Sequence, residues 1–141
     1  MSRENVELVR RVFRSFNDRG VDAWLACHIA DVEWRLISGF ADLMGAEFKG
    51  HEGLRRFLKD WVGNLGVTGE MEALVEMDDR VVVIVRGIAA GAASGAPATI
   101  RSGQVYFFRE GLISAVDNYY EAGDALAAAG LSEQDIHSDS A

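Results

Sequence analysis

The chain reads as an α+β domain: a curved antiparallel β-sheet whose concave side is covered by helices. Three observations predict it. Apolar residues recur at helical spacing near the start of the chain and again after His51. From Glu70 to Tyr120 the period shortens to two, in about four segments without crossover helices between them, which disfavours parallel βαβ units. A length of 141 residues, 49% hydrophobic and 26% charged, is enough for one core without metal or disulfide staples.

In the first helix Val6, Val9, Val12, Phe13 and Phe16 make the apolar stripe, Ser2 is placed to cap its start, and Gly20 ends it. Asp22 opens a short second helix through Trp24, Leu25 and Cys27, with Ile29 closing the pair. Asp31 to Leu36 alternates as a first strand, with Val32, Trp34 and Leu36 on one face. The connection from Ser38 to Gly50 mixes turn glycines with Phe40, Leu43, Met44 and Phe48, and this predicts a loop that covers a cavity. A third helix, starting at His51 to Gly53, places Leu54, Phe57, Leu58, Trp61, Val62 and Leu65 on one stripe.

The strand pattern then takes over. Met71, Ala73, Val75 and Met77 alternate with glutamates, Asp78 and Asp79 turn the chain, and Arg80 to Ile88 returns. Residues 89–98, interrupted by Gly91, Gly95 and Pro97, form a flexible hairpin connection. Thr99 to Arg109 is a long strand, Glu110 and Gly111 a tight turn, and Leu112 to Tyr120 its antiparallel partner. A short helix from Glu121 to Gly130 follows. Residues 1–131 form a single domain and residues 132–141 a flexible tail.

With 14 Lys and Arg against 22 Asp and Glu, the net charge of −8 opposes binding to nucleic-acid phosphates or anionic membranes. No stretch approaches the roughly 20 apolar residues of a membrane span. The single cysteine, Cys27, forms no intrachain disulfide and reads as buried packing. Together these features place the chain in the cytoplasm, with no nucleic-acid or membrane partner. Phosphate-loop, nucleophile-elbow and zinc signatures are missing, and His28, His51 and His137 lie on different elements, so no cofactor or metal is expected.

Polar groups embedded among strand hydrophobes carry more information. Ser102, Gln104, Tyr106 and Phe108 share one face of the long strand, while Ile113, Ala115, Asp117 and Tyr119 share one face of the next. A polar group buried there must be hydrogen-bonded. Arg86 and Asp117 are read three ways: as an ion pair that holds the sheet together, as part of a polar cluster facing a cavity, or as solvent-exposed.

Four segments, ENVELVRRVFRSFNDRGVDAWLA, ADVEWR, FKGHEGLRRFLKDW and YFFREGLISAVDNYYEAGDALAAAGL, resemble a SnoaL-like polyketide-cyclase domain of the nuclear-transport-factor-2-like superfamily, over roughly residues 4 to 131. The resemblance implies a cone-shaped α+β barrel, in which a strongly bent sheet wraps helices around an apolar pocket. It also implies acid-base residues inside the cone, a His and an Asp, on the strands that here run from Thr99 to Arg109 and from Leu112 to Tyr120. Gln104 stands where many relatives carry the histidine, and glutamine exchanges no proton near neutral pH. Asp117 and Asn118 fall in the aspartate region, and Asp42 can enter from the loop over the mouth.

The expected chemistry is that of a cofactor-independent cyclase or isomerase acting on a polyketide-like or steroid-like carbonyl compound. Asp117 is the base, with Asp42 as the other candidate. Tyr106, Tyr119 and Gln104 are donors, and Arg86, also counted among the ligand-binding residues, either orients Asp117 or lowers its basicity by pairing with it directly. The ligand pocket is expected between Trp34, Leu58, Trp61, Ser102, Gln104, Tyr106, Phe108 and Tyr119. The alternatives are a non-catalytic small-ligand-binding protein and a structural homodimer module. A homodimer is expected through the outer sheet face, because both parities of Val81 to Val85 are apolar and Val105 and Phe107 lie opposite the pocket.

Overall fold

A computed structural model of the chain describes residues 2–38, 47–59, 67–89 and 98–136. Two helices, α1 (Ser2–Asn17) and α2 (Val21–Leu25), precede β1 (His28–Ser38), β2 (Glu47–Lys49) and α3 (Gly50–Phe57). Four long strands follow, β3 (Val67–Glu76), β4 (Arg80–Ala89), β5 (Ala98–Arg109) and β6 (Leu112–Tyr119), and then a helix α4 (Ala122–Ala128) and a 3-10 turn (Glu133–Asp135). Their order in the sheet is β2-β1-β6-β5-β4-β3, open at both ends. Every pairing is antiparallel except β1 with β6, which run parallel because the whole meander returns between them.

The fold class is the one expected, with local differences. Within the segment expected as a loop, Glu47 to Lys49 pairs with β1 as a short edge strand. β1 itself begins at His28, three residues earlier than its alternation suggests. Arg19, with φ 61, makes the left-handed turn that ends α1, where Gly20 was expected to do so. Its guanidinium donates to the carbonyls of Phe16 and Val67, and Asn17 exchanges two bonds with the backbone of Gly69, so the end of α1 is tied to β3.

Two one-residue bulges decide which side chains face the helices. In β3, Met71 pairs with Val85 and Ala73 with Ile84, so Glu72 is an extra residue. Met71 therefore packs with the concave core, while Ala73, Val75 and Met77 pack on the convex side, and the single face expected for these four is split. In β6 the extra residue is Ser114: Ile113 pairs with Phe108 and Ala115 with Phe107. Ile113 and Val116 join the concave core, and Asp117 and Tyr119 turn to the other face.

Both faces are buried within one chain. Leu8, Val9 and Val12 of α1, Trp24 and Leu25 of α2, and Leu54 of α3 pack on the concave side with Val32, Trp34, Val81, Val83 and Tyr106. On the convex side Val82, Ile84 and Val105 are covered by Ala122, Ala125 and Leu126 of α4, with Leu131 and Ile136 alongside. That cover removes the exposed grease on which the expectation of a homodimer through this face rested. Within residues 132–136, the start of the expected tail, a solvent-exposed 3-10 turn forms and Ile136 packs against the convex cluster. Ser132 and Asp135 close a capping box, and Arg101 bridges Glu133 at 2.9 Å and Glu72 at 2.7 Å.

His28 is buried at the start of β1. Its Nδ1 donates to the Trp24 carbonyl at 2.8 Å, and its Nε2 has no partner among the described residues. His51 Nε2 donates to the His28 carbonyl at 3.1 Å, a structural role. Cys27 Sγ donates to the Ala23 carbonyl at 3.4 Å, and burial pushes its thiol up, in keeping with a packing residue.

Two outcomes follow. α4 approaches β5 so closely that a Cβ on Gly103 would collide with the Cβ of Ala125. Gly103→Ala should therefore cost about 1–3 kcal/mol in urea unfolding, and Ala125→Gly in the same chain should recover most of it. Burial lowers the His28 pKa from 6.5 to about 4, so the unfolded chain takes up its proton first as the pH falls. Stability carried by neutral His28 is complete above pH 6.5 and is lost between there and pH 4, by up to about 3 kcal/mol. Urea midpoints measured at pH 7 and pH 4.5 should fall less for His28→Asn, whose amide can still donate to the Trp24 carbonyl.

Candidate functional site

Between the helices and the concave face lies a cavity of about 430 Å³, within the usual size of a small-molecule site. α1 contributes Val12, Phe13 and Phe16, α2 contributes Trp24, and α3 contributes Phe57. From the sheet come Trp34, then Val67, Thr68 and Gly69, Val85 and Gly87, Ile100, Ser102, Gln104 and Tyr106, and lastly Asn118 and Tyr120. The aromatic groups brace one another: Trp34 lies 5.7 Å from Trp24 and 5.1 Å from Phe57, Phe16 lies 5.9 Å from Trp24, and Phe13 lies 6.5 Å from Tyr106.

One polar chain crosses this apolar wall. The Tyr106 hydroxyl donates to Gln104 Oε1 at 2.7 Å, Gln104 Nε2 donates to Asn118 Oδ1 at 2.8 Å, and Asn118 Nδ2 donates to the Arg35 carbonyl at 3.0 Å. Strand pairing makes this possible, because Gln104 faces Asn118 directly across β5 and β6, and Asn118 faces Leu36 across β6 and β1. The relay is neutral, and burial raises the Tyr106 pKa far above its ordinary value, so the phenol keeps its proton. The described lining residues include no carboxylate, imidazole or cationic side chain, and no group of three or more His, Cys, Asp or Glu among the described residues is placed to hold a metal.

The residues expected at the site separate into groups. Trp34, Ser102, Gln104 and Tyr106 lie on the cavity wall. Leu58 and Phe108 pack against the concave core without lining the cavity. Asp42 and Trp61 lie outside the described residues. Tyr119 is corrected to the convex side, where it packs against the cluster beneath α4.

Asp117 is corrected in the same way. The Ser114 bulge turns it away from the cavity, and its Oδ1 accepts from Arg35 Nε at 2.5 Å. Arg86, read as a possible partner of Asp117, is exposed on the sheet surface and pairs with Glu70 at 2.5 Å. Tyr120 was not expected at the cavity and Asn118 was named only as falling in the aspartate region; Asn118 holds the parity opposite to Asp117 on β6, and Tyr120 follows directly after that strand. Phe13, Phe16 and Phe57 were legible as core stripes, but alternation and helical spacing do not distinguish a ring in solid packing from one beside a void.

The comparisons with known proteins agree with this geometry. Residues 9–116 match the SnoaL-like domain family. TerC co-crystallized with polyporic acid shares 25% identity over 91% of this chain and 97% of that one, with a TM-score of 0.75. An NTF2-like protein of unknown function from Burkholderia pseudomallei shares 21% identity over 88% of this chain and 95% of its own, with a TM-score of 0.74. RV0760c from Mycobacterium tuberculosis, in complex with estradiol-17beta-hemisuccinate, shares 19% over 84% and 94%, with a TM-score of 0.72. No curated protein matches the chain. By the family match and by its six-stranded cone, this chain belongs to the SnoaL-like domain family and has the NTF2-like fold.

Proposed function

We propose that the chain is a small-molecule-binding protein that takes a neutral, largely apolar organic molecule into the cone. The observation that carries this reading is the composition of the wall, which is made of aromatic and aliphatic side chains, the hydroxyls of Thr68 and Ser102 and a neutral amide relay, with no carboxylate or imidazole among the described lining residues. Proton abstraction needs a base within hydrogen-bond reach of the substrate. Asp117 lies across the sheet, bound to Arg35, and Gln104 is not a base, so the described wall favours binding over acid-base turnover. Two solved structures resembled by this chain hold small organic molecules, polyporic acid and estradiol-17beta-hemisuccinate, which supports a small organic ligand here; both of those are acids, and the neutrality of the ligand rests on the described wall alone.

The test is a panel of polycyclic ketones, enones and small epoxides added to the full chain, following tryptophan fluorescence and product formation together. Trp24 and Trp34 line the cavity, so saturable quenching without product is the expected result. Phe57→Ala should weaken binding roughly tenfold or more, since a buried phenylalanine ring is worth about 1.5–3 kcal/mol. Multiple turnovers that disappear in Asp42→Asn would replace this reading with a cofactor-independent cyclase or isomerase using that loop carboxylate.

A further inference from the structure

We infer that Gly87 is a specificity-determining residue of the cavity: its missing side chain leaves the open end of the wall as bare backbone, where one end of an elongated ligand lies. This deepens the binding reading above, on which it rests, by adding the length of the ligand to its polarity.

Strand pairing sets the concave wall in rungs. Across β4 and β5, Val83 faces Gln104, Val85 faces Ser102 and Gly87 faces Ile100, while Gly69 of β3 faces Gly87 from the other side. Along β5 the lining positions run from Tyr106, which is 1% exposed, to Ile100, which is 38% exposed, so the cavity opens at the rung of Gly87. From Ile100 to Tyr106 the strand covers about 20 Å, at roughly 3.3 Å per residue. A ligand that touches both ends of this wall is elongated, not a single ring.

Glycine inside a strand weakens it, because it gives up side-chain packing and leaves the unfolded chain more freedom, so each such position calls for a cause. β3, β4 and β5 carry one each. At Gly69 the cause lies in the chain's own packing, since a Cβ there would meet Val85 Cγ1 at 3.3 Å and the Phe13 ring at 3.6 Å. At Gly103 it is Ala125 of α4. Gly87 has no such cause among the described residues. Its φ lies outside the left-handed region, and a Cβ there would meet nothing nearer than the Ile100 and Thr68 carbonyl oxygens, at the ordinary contact distances of 3.8 and 4.0 Å. A side chain at this position would leave the strand on the same face as Val85 and enter the cavity. What it would displace is the occupant of the cavity and not a part of the protein.

Alkyl phenones from acetophenone to decanophenone share one ring and one carbonyl and differ only in length, so titrating them into the full chain, followed by tryptophan fluorescence, measures how far the site extends. In the unaltered chain affinity should rise by about fourfold per methylene, the worth of burying one CH₂ group, into the long members of the series. Gly87→Val places an isopropyl group on the outermost rung. The rise should then stop at a shorter chain and decanophenone should lose about tenfold or more, while acetophenone changes by less than about twofold. Adding Ile100→Ala, which clears space on the facing residue, should restore binding of the long members. Gly87→Ala should raise the urea midpoint, and it carries the length test, with a smaller loss, if the valine variant fails to fold. A lower midpoint in Gly87→Ala would show that packing needs the glycine and would overturn the inference. An identical length profile in Gly87→Val, or a profile in the unaltered chain that is flat beyond acetophenone, would also overturn it and leave the binding reading standing. Lack of saturable binding by every member of the series would overturn both readings.

Discussion

In β6 a single extra residue, Ser114, separates Ile113, which packs towards the helices, from Ala115, which pairs on the other parity, and every side chain beyond it is placed by that insertion. Because strand side chains alternate with a period of two, one added residue exchanges the two faces from that point on. The exchange sends Asn118 to the cavity and Asp117 to the convex surface. The same device in β3, at Glu72, lets Gly69 line the cavity near one end of the strand while Ala73 packs beneath α4 near the other. The strand parities, set by these two insertions, determine both cores and the chemistry offered to a ligand.

The two faces that the bulge separates have opposite electrostatic character. On the convex side Asp117 pairs with Arg35, which also pairs with Glu33, and the Arg35 and Arg80 guanidinium groups both lie over the Phe107 ring, at 5.9 and 5.1 Å. Charges there keep contact with water, and partial burial is offset by pairing. On the concave side the relay joins a phenol hydroxyl and two neutral amides head to tail, while the buried Trp34 Nε1 on the same wall has no partner among the described residues. Arg35 links the two sides: its side chain holds Asp117 outside, and its carbonyl anchors Asn118 inside.

Much of this was legible in the sequence because periodicity reports burial. The helical stripe of α1, the part of the α3 stripe at Leu54, Phe57 and Leu58, the alternation in β1 and β5, and the placing of Ser102, Gln104 and Tyr106 on one face all follow from spacing alone. Asp117 and Tyr119 were misplaced because alternation counted from Ile113 runs straight through Ser114, and nothing in the residue types around Ser114 marks the insertion. The short strand at Glu47 to Lys49 was missed for a related reason, since its stability comes from pairing with Glu33 to Arg35 of β1 and not from its own pattern. α4 was predicted as an element, but its position was not, because the contact that seats it is a glycine, Gly103, whose fitness for close approach shows only when Ala125 is brought against it.

The cavity and the core are built from the same side chains. Val12, Trp24, Trp34, Val85 and Tyr106 both line the void and belong to the buried cluster that holds α1 and α2 to the sheet. An ion placed on such a wall would have to be stripped of water and paired, whereas a neutral relay ending on a backbone carbonyl satisfies its groups without importing charge into the core. A ligand that fills the void adds contacts to residues already carrying the fold, and any molecule that binds the folded chain alone stabilises it by mass action. Binding and stability therefore share one set of residues here, and a change that repacks Trp24, Trp34 or Tyr106 acts on both at once.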